Sequence, residues 1–145
     1  MEVHDIRLSV SGTPAAAASA RRRIVAAMRD WGLPADSDVL HVAELMAGEL
    51  LSNVVQHAGL GAATVTARCD GNAITVEVSD SSRDLPRPRS PSQEDEHGRG
   101  LSIVAALADR YGTEPTASGK QCWAEVRLPA ASSPLLALPV PLTRR

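Results

Sequence analysis

The pattern of apolar and polar positions in the first part of the chain predicts one strand followed by two helices. Apolar side chains occupy every second position over residues 6–10, which is the period of a strand. Thr13 and Pro14 then supply an N-cap and a proline at the first helical position, so a helix is expected to run to about Asp30. A second helix is expected over residues 37–58, with a polar cap at its start.

The next segment changes to a period of two and predicts a β-hairpin. Two alternating runs flank Asp70-Gly71-Asn72, which has the composition of a tight turn. The apolar members of the two runs are Ala63, Val65, Ala67 and Cys69 before the turn and Ile74, Val76 and Val78 after it.

The second half of the chain contains a polar stretch, a helix and two strands. Residues 81–97 carry several prolines and arginines and are expected to form a loop, of a length that often serves as a functional lid. A third helix is expected from about Gly100 to Ala108. A last strand is expected over residues 122–128, with apolar side chains on one face, and residues 110–117 are a candidate for the strand before it.

Antiparallel runs of strands with helices between them predict an α+β fold. We expect a two-layer sandwich, in which a mixed, mostly antiparallel sheet carries helices on one face. The length of 145 residues suits one domain, which we place at residues 1–128. Residues 129–145 carry repeated prolines and are expected to form a flexible tail.

Composition narrows the range of functions. The net charge of −2 is too small to indicate steering toward nucleic acid or a membrane surface. The sequence has no apolar run of the roughly 20 residues that a membrane span needs. Its charged N-terminus is unlike a signal peptide, and its two cysteines do not form a disulfide framework. We therefore expect a cytoplasmic protein with no direct nucleic-acid or membrane partner.

A polar stripe on the second helix is the first candidate site. Glu49, Asn53 and His57 recur every four residues and therefore lie on one side of the helix. At about 100° per residue, this stripe falls within the apolar face of the helix and not opposite it. Because burying a carboxylate or an amide without a partner is costly, two interpretations are open. Either a polar ligand meets these side chains, or they cap backbone groups at a solvated edge.

Asp80 is the second candidate. It has the same parity as the apolar residues of its strand, so it points toward the apolar face at the end of the strand. A carboxylate in that position can accept a hydrogen bond from an exocyclic amine such as that of adenine. The alternative is a turn residue that closes the strand.

A glycine pair before the third helix is the third candidate. Gly98-Arg99-Gly100 would let phosphate groups approach backbone N–H groups at the positive end of the helix dipole. A dinucleotide-binding motif is excluded, because a polar loop precedes the glycines where a strand is required and the third glycine is missing. The sequence also lacks a P-loop motif.

In this order, the motifs resemble those of the Bergerat-fold, or histidine-kinase-like (GHKL), ATPases. Residues 49–58 resemble the N-box of that family, residues 78–80 the start of its first glycine box, and residues 98–104 its second glycine box. Residues 119–125 resemble the closing strand of many actinobacterial members. The resemblance covers about residues 5–128 and is greatest to the anti-sigma-factor serine/threonine kinases.

The resemblance implies a role for each candidate residue, with ATP and Mg²⁺ as cofactors. Asn53 would be a ligand of the Mg²⁺ that bridges the ATP phosphates, and Glu49 would be the general base that activates an acceptor serine. Asp80 would bind the exocyclic amine of adenine. His57 is expected to be structural and not a phosphoacceptor, so the chain does not resemble a complete histidine kinase. The residues that would bind the phosphates are Gly98, Arg99, Gly100 and Leu101.

The chain departs from the family pattern in two places. Asp80-Ser81-Ser82 stands where the family usually has Asp-x-Gly, and Lys120 follows Gly119 where a threonine is usual.

Three functions are compatible with these motifs. The first, favoured by the retained Glu49, is a serine/threonine kinase that phosphorylates an anti-anti-sigma (antagonist) protein and sequesters a sigma factor. The second is a nucleotide-dependent binding module that transfers no phosphate. The third is a detached ATPase domain that serves a separate histidine-containing protein. A homodimer is a further candidate assembly.

Overall fold

The computed structural model describes four stretches of the chain: residues 3–33, 37–57, 61–81 and 104–129. Their helices and strands, in chain order, are β1 (His4–Ser11), α1 (Pro14–Asp30), α2 (Asp38–His57), β2 (Ala62–Cys69), β3 (Ala73–Asp80), β4 (Arg110–Pro115) and β5 (Lys120–Arg127). A further helical turn covers residues 104–107. Most of the expected loop, the start of the third helix and the tail from residue 130 lie outside these stretches.

The five strands form one sheet with helices on one face. Their order is β1-β2-β3-β5-β4, and each neighbouring pair is antiparallel. Helix α2 packs against β3 and β5, while α1 packs against β1 and α2. The expected α+β two-layer sandwich is therefore confirmed, with antiparallel pairing throughout the described strands. Because β3 pairs with β5, β4 lies at the edge of the sheet.

Side-chain caps fix the starts of both helices. The Thr13 hydroxyl accepts a hydrogen bond from the Ala16 N–H at 3.2 Å, and the Ser37 hydroxyl accepts one from the Leu40 N–H at 3.1 Å. Each such cap typically contributes about 1 kcal/mol. Gly32, with a φ of 99°, lets the chain turn away after α1. Neither these helices nor the short turn described above is both long and apolar enough to cross a membrane.

The core is built from aliphatic side chains between the helices and the covered face of the sheet. Its largest fully buried apolar residues are Ile24, Met28, Leu40, Met46, Leu51, Val54, Val65, Ile74 and Val76. No aromatic side chain is buried among the described residues, and the sequence contains no Phe. Cys69 and Cys122 are buried free thiols, as expected for core residues. Burial raises the pKa of the Cys122 thiol, so it stays protonated at neutral pH.

The two tryptophans lie at the edges of the sheet. On its uncovered face, the indole of Trp123 lies against Gly112 of β4, where an added Cβ would be 3.0 Å from the ring, and Arg110 lies over that ring at 5.8 Å. Trp123 therefore covers part of the edge strand β4. At the other edge, Trp31 stacks on His4 of β1, with ring centroids 5.7 Å apart.

A charged turn joins β2 to β3. One carboxylate oxygen of Asp70 accepts hydrogen bonds from the N–H groups of Asn72 at 2.9 Å and Ala73 at 3.0 Å, and Gly71 has a φ of 90°. These two bonds favour the ionised form and hold the pKa of Asp70 below its usual value of 3.8. The turn fixes the register of a hairpin that ends at Asp80.

We expect Asp70→Ala to lower the thermal midpoint of unfolding, because the two N–H groups lose their acceptor. Asp70→Asn keeps an acceptor oxygen and should be less harmful. Since the folded-state pKa is lowered, the contribution of the charge is full above about pH 3.8 and is lost as the pH falls through the folded-state value. Thermal melts of the three proteins across this range check the prediction. If the difference in thermal midpoint between wild type and Asp70→Asn stays the same in acid, the prediction is wrong.

Candidate functional site

Three polar or charged side chains are buried among the described residues: Asn53, Asp80 and Lys120. They come from α2, the end of β3 and the start of β5. Since α2 packs on β3 and β5, all three belong to the interface between the helix and the sheet. Such burial requires partners for each group, which makes this interface the candidate site.

Asn53 lies at the edge of the buried face of α2. It is 7% exposed, whereas Glu49, one turn earlier, is half-buried. The side-chain nitrogen Nδ2 of Asn53 is buried and has no hydrogen-bond partner within the described stretches, and the same holds for Nε2 of Gln56. Gln56 follows Asn53 by three positions and therefore lies on the same side of the helix. The described part of α2 thus holds two buried amide donors that lack an acceptor.

Asp80 lies on the covered face at the end of β3 and is 8% exposed, as its parity predicts. Directly opposite, at the start of β5, lies Lys120, whose exposed fraction is 0%. The side chains of a cross-strand pair have Cβ atoms about 4.5–5.5 Å apart, so the two side chains start from neighbouring positions on the covered face. On the uncovered face, Gln121 donates a 2.6 Å hydrogen bond to Glu77, which also ties β5 to β3.

Gly119 brings the start of β5 against the end of β3. A Cβ on Gly119 would overlap the carbonyl oxygen of Asp80 and lie 2.6 Å from Cα of Ser81. The turn before β5 is closed by a 2.9 Å hydrogen bond from the Thr116 N–H to the Gly119 carbonyl. Only glycine fits this close approach of two backbones, which sets Lys120 beside Asp80.

The chain connection places the end of α2 at the same end of the sheet. Helix α2 ends at His57, and β2 begins at Ala62, so the link between them spans at most about 17 Å. Near its start β2 pairs with the end of β3, since Thr64 lies opposite Ser79. The structure therefore brings Asn53 and Glu49 toward the end of the sheet that carries Asp80.

The remaining predicted residues are not described. Gly98, Arg99, Gly100 and Leu101 lie outside the described stretches, and so does the side chain of His57.

Comparison with known proteins shows the family of the chain. Residues 10–125 match the histidine kinase-like ATPase domain. The chain belongs to this family. Among solved structures, it is similar to the histidine kinase domain of the blue-light activated histidine kinase of Erythrobacter litoralis EL346, with 20% identity and a TM-score of 0.46. That similarity covers 76% of this chain and 60% of the other, so the chain spans less than two thirds of that protein's length. None of the curated proteins matches the sequence.

A histidine kinase-like ATPase domain binds ATP, generally with Mg²⁺. The residues described here fit that ligand. The buried donors of Asn53 and Gln56 require acceptors, and phosphate groups offer many of them. Asp80 supplies a buried acceptor for an amine at the same end of the sheet.

Sequence reasoning missed three residues of this site. In the sequence, Lys120 stands out only as a departure from the family pattern, although its parity matches the apolar face of β5. Gln56 was not singled out, although it lies three positions from Asn53. Gly119 was assigned to the closing strand, but its contact with Asp80 depends on the pairing of β3 with β5.

We expect Gly119→Ala to destabilise the protein by about 3 kcal/mol or more, because the new methyl group overlaps backbone atoms that cannot move independently. The same change should disturb Asp80 and weaken nucleotide binding. Denaturant unfolding and calorimetry with ADP measure the two effects.

Gly48→Ala is the matched control. Its methyl group would meet only the flexible end of Arg21 at 3.2 Å, and glycine is unfavourable inside a helix. This variant should be as stable as the wild type or more so. If the two alanine variants are equally stable, position 119 does not require glycine and the prediction is wrong.

Proposed function

We propose that this ATPase domain is a serine/threonine kinase of the anti-sigma-factor type. It would phosphorylate an anti-anti-sigma antagonist protein and sequester a sigma factor. The observation that carries the proposal is the burial of Asn53, whose Nδ2 has no hydrogen-bond partner within the described stretches, one helical turn from the half-buried Glu49. A metal and phosphate ligand beside a carboxylate base is what phosphoryl transfer to a hydroxyl needs.

Each residue has one task in this proposal. Asp80 accepts a hydrogen bond from the exocyclic amine of adenine, which holds the base at the end of β3. The side-chain oxygen of Asn53 serves as a Mg²⁺ ligand, and oxygen ligands in small number suit this ion. The carboxylate of Glu49 takes the proton of the acceptor hydroxyl. ATP supplies the phosphoryl group, and Gly98-Arg99-Gly100 and Leu101 would contact its phosphates.

The partners rest on the resemblance of the N-box and glycine boxes to the anti-sigma-factor kinases, and no direct contact with nucleic acid or membrane is part of the proposal. A second copy of the chain remains a candidate partner. The second candidate function is a nucleotide-dependent binding module without phosphotransfer. The replacement of the family glycine by Ser82 favours it, because that glycine belongs to the turn beside adenine.

We expect Asp80→Asn to weaken ADP binding by about 1.5–3 kcal/mol, the range for a hydrogen bond to a charged group. Calorimetry with pure protein measures the change. Asp5→Asn is the control, since Asp5 is exposed on β1 at the far edge of the sheet and should bind ADP as the wild type does. If Asp80→Asn binds ADP as tightly as the wild type does, Asp80 does not contact adenine and only closes the strand.

The Glu49→Gln variant distinguishes a kinase from a binding module. Glutamine keeps the shape of the side chain but cannot take a proton. Binding of Mg-ATP should therefore persist, while transfer to the partner falls by about 10²–10⁴-fold, the usual contribution of a positioned base. By contrast, Asn53→Ala removes the metal ligand and should weaken Mg-ATP binding itself.

The assay is incubation with labelled Mg-ATP and candidate antagonist proteins, followed by detection of transferred phosphate. Glu44→Gln, on the same helix but on a different side, is the matched control and should transfer at the wild-type rate. Equal rates for wild type and Glu49→Gln would exclude Glu49 as the base. No transfer by the wild type to any antagonist would favour the binding module.

A further inference from the structure

The outer strand β4 is open on the side of the sheet that carries the helices. Tyr111 and Thr113 lie opposite Ala124 and Cys122, which are buried on the covered face, so their side chains point to that same side. Both are nevertheless exposed, Tyr111 by 54%. Leu107, just before β4, is a further exposed aliphatic side chain. This border of the sheet therefore carries an apolar surface that neither α1 nor α2 buries.

The outer edge of β4 also offers backbone groups. Thr116 and Gly119 exchange both backbone hydrogen bonds, at 2.9 and 3.4 Å, in the turn between β4 and β5. Because bonded and non-bonded pairs alternate along an antiparallel ladder, Tyr111 and Thr113 direct their N–H and C=O groups away from β5. Within the described sheet these groups face no other strand, and such an edge is a template for one more.

The chain itself contains a segment that suits this edge. Residues 134–142, outside the described stretches, have no polar side chain. The end of this segment alternates aliphatic residues with proline: Leu138, Pro139, Val140, Pro141 and Leu142. Since successive N–H groups of a strand point in opposite directions, the three aliphatic N–H groups would share one side and the two prolines the other. Proline is tolerated inside an outermost strand when its position faces solvent, so this alternation fits such a strand.

The connection is long enough for the segment to reach β4. Strand β5 ends at Arg127, at the end of the sheet where β4 begins, since Arg110 lies opposite Glu125. Residues 128–137 can span up to about 33 Å, whereas a strand outside β4 would lie about 10 Å from β5, at two interstrand spacings. A strand that starts at this end of the sheet runs parallel to β4.

We propose that residues 138–142 form a sixth strand, added in parallel to the free edge of β4 of the same chain. Its three aliphatic N–H groups pair with β4. In a parallel pair, residues that face each other across the hydrogen bonds carry their side chains on opposite faces, so the two proline rings lie on the helix side, against Tyr111. The added strand closes an edge that could otherwise pair with another chain, and it does not depend on nucleotide binding.

Hydrogen exchange of the full chain, followed by NMR, tests this strand directly. The amides of Leu138, Val140 and Leu142 should exchange at least roughly 10-fold more slowly than in an unfolded chain, because each donates to β4. Leu135 and Leu136, in the connection, are the internal control and should exchange at the unfolded rate. If the three amides exchange as fast as those of the connection, the proposal is wrong.

Two proline substitutions in the full chain form a matched pair. Val140→Pro removes the central N–H of the strand, whereas Ala137→Pro adds a proline at the parity of Pro139 and Pro141, which faces solvent. Val140→Pro should speed exchange of the Tyr111 amide by roughly 10-fold, because its acceptor strand detaches, and Ala137→Pro should leave that rate unchanged. If both variants change the rate equally, or neither does, the alternation does not select a strand and the proposal is wrong.

The single tyrosine of the sequence gives a second readout, since its ring resonances report on Tyr111 alone. Nuclear Overhauser contacts between this ring and the protons of Pro139 and Pro141 should appear in the wild type and in Ala137→Pro, and should vanish in Val140→Pro. A wild type without these contacts overturns the proposed arrangement.

Dilution distinguishes a strand of the same chain from one supplied by a second copy. For a strand of the same chain, the amide protection should not depend on protein concentration. If the protection falls on dilution as sedimentation shows a dimer converting to a monomer, the strand comes from the second copy and the proposal is wrong. None of these measurements contains nucleotide, so a failure to bind ADP would overturn the proposed function alone.

Discussion

The close approach of two backbones at Gly119 and Asp80 determines the geometry of the candidate site. The register of β3 and β5 is fixed along eight consecutive residue pairs, and the last of these pairs joins Asp80 to Lys120. Because a side chain at position 119 would overlap the neighbouring strand, this end of the sheet closes only with glycine. The sheet then carries two opposite charges on a face that is otherwise apolar. Helix α2 lies over that face, and its polar edge adds the amides of Asn53 and Gln56.

This arrangement lowers the stability of the folded chain and provides polar groups for a ligand. A domain of this size has only about 5–15 kcal/mol of net stability, and each buried donor without an acceptor costs about 1–3 kcal/mol. The described stretches hold two such donors in a core that no aromatic side chain strengthens. A ligand that satisfies these groups binds the folded state alone and therefore stabilises it by mass action.

Local chemistry explains which features could be predicted from the sequence. The helix starts followed from Thr13 and from the polar residue at 37, because a cap acts within three residues. The burial of Asp80 followed from its parity with the apolar residues of β3, because the period of a strand holds along its length. Lys120 could not be predicted in the same way, since a charged residue at the start of a strand is usually exposed. Its burial depends on pairing with β3, which lies 40 residues away across β4 in the sequence.

The positions of the two tryptophans give the protein a spectroscopic property of its own. One indole lies on His4 at the β1 edge and the other lies on β4 at the opposite edge, while the described core contains no aromatic ring. Intrinsic fluorescence therefore originates at the two borders of the sheet and not in its centre. The imidazole beside Trp31 and the guanidinium beside Trp123 give the two emitters different surroundings, so that loosening of either border can be followed separately from the collapse of the core.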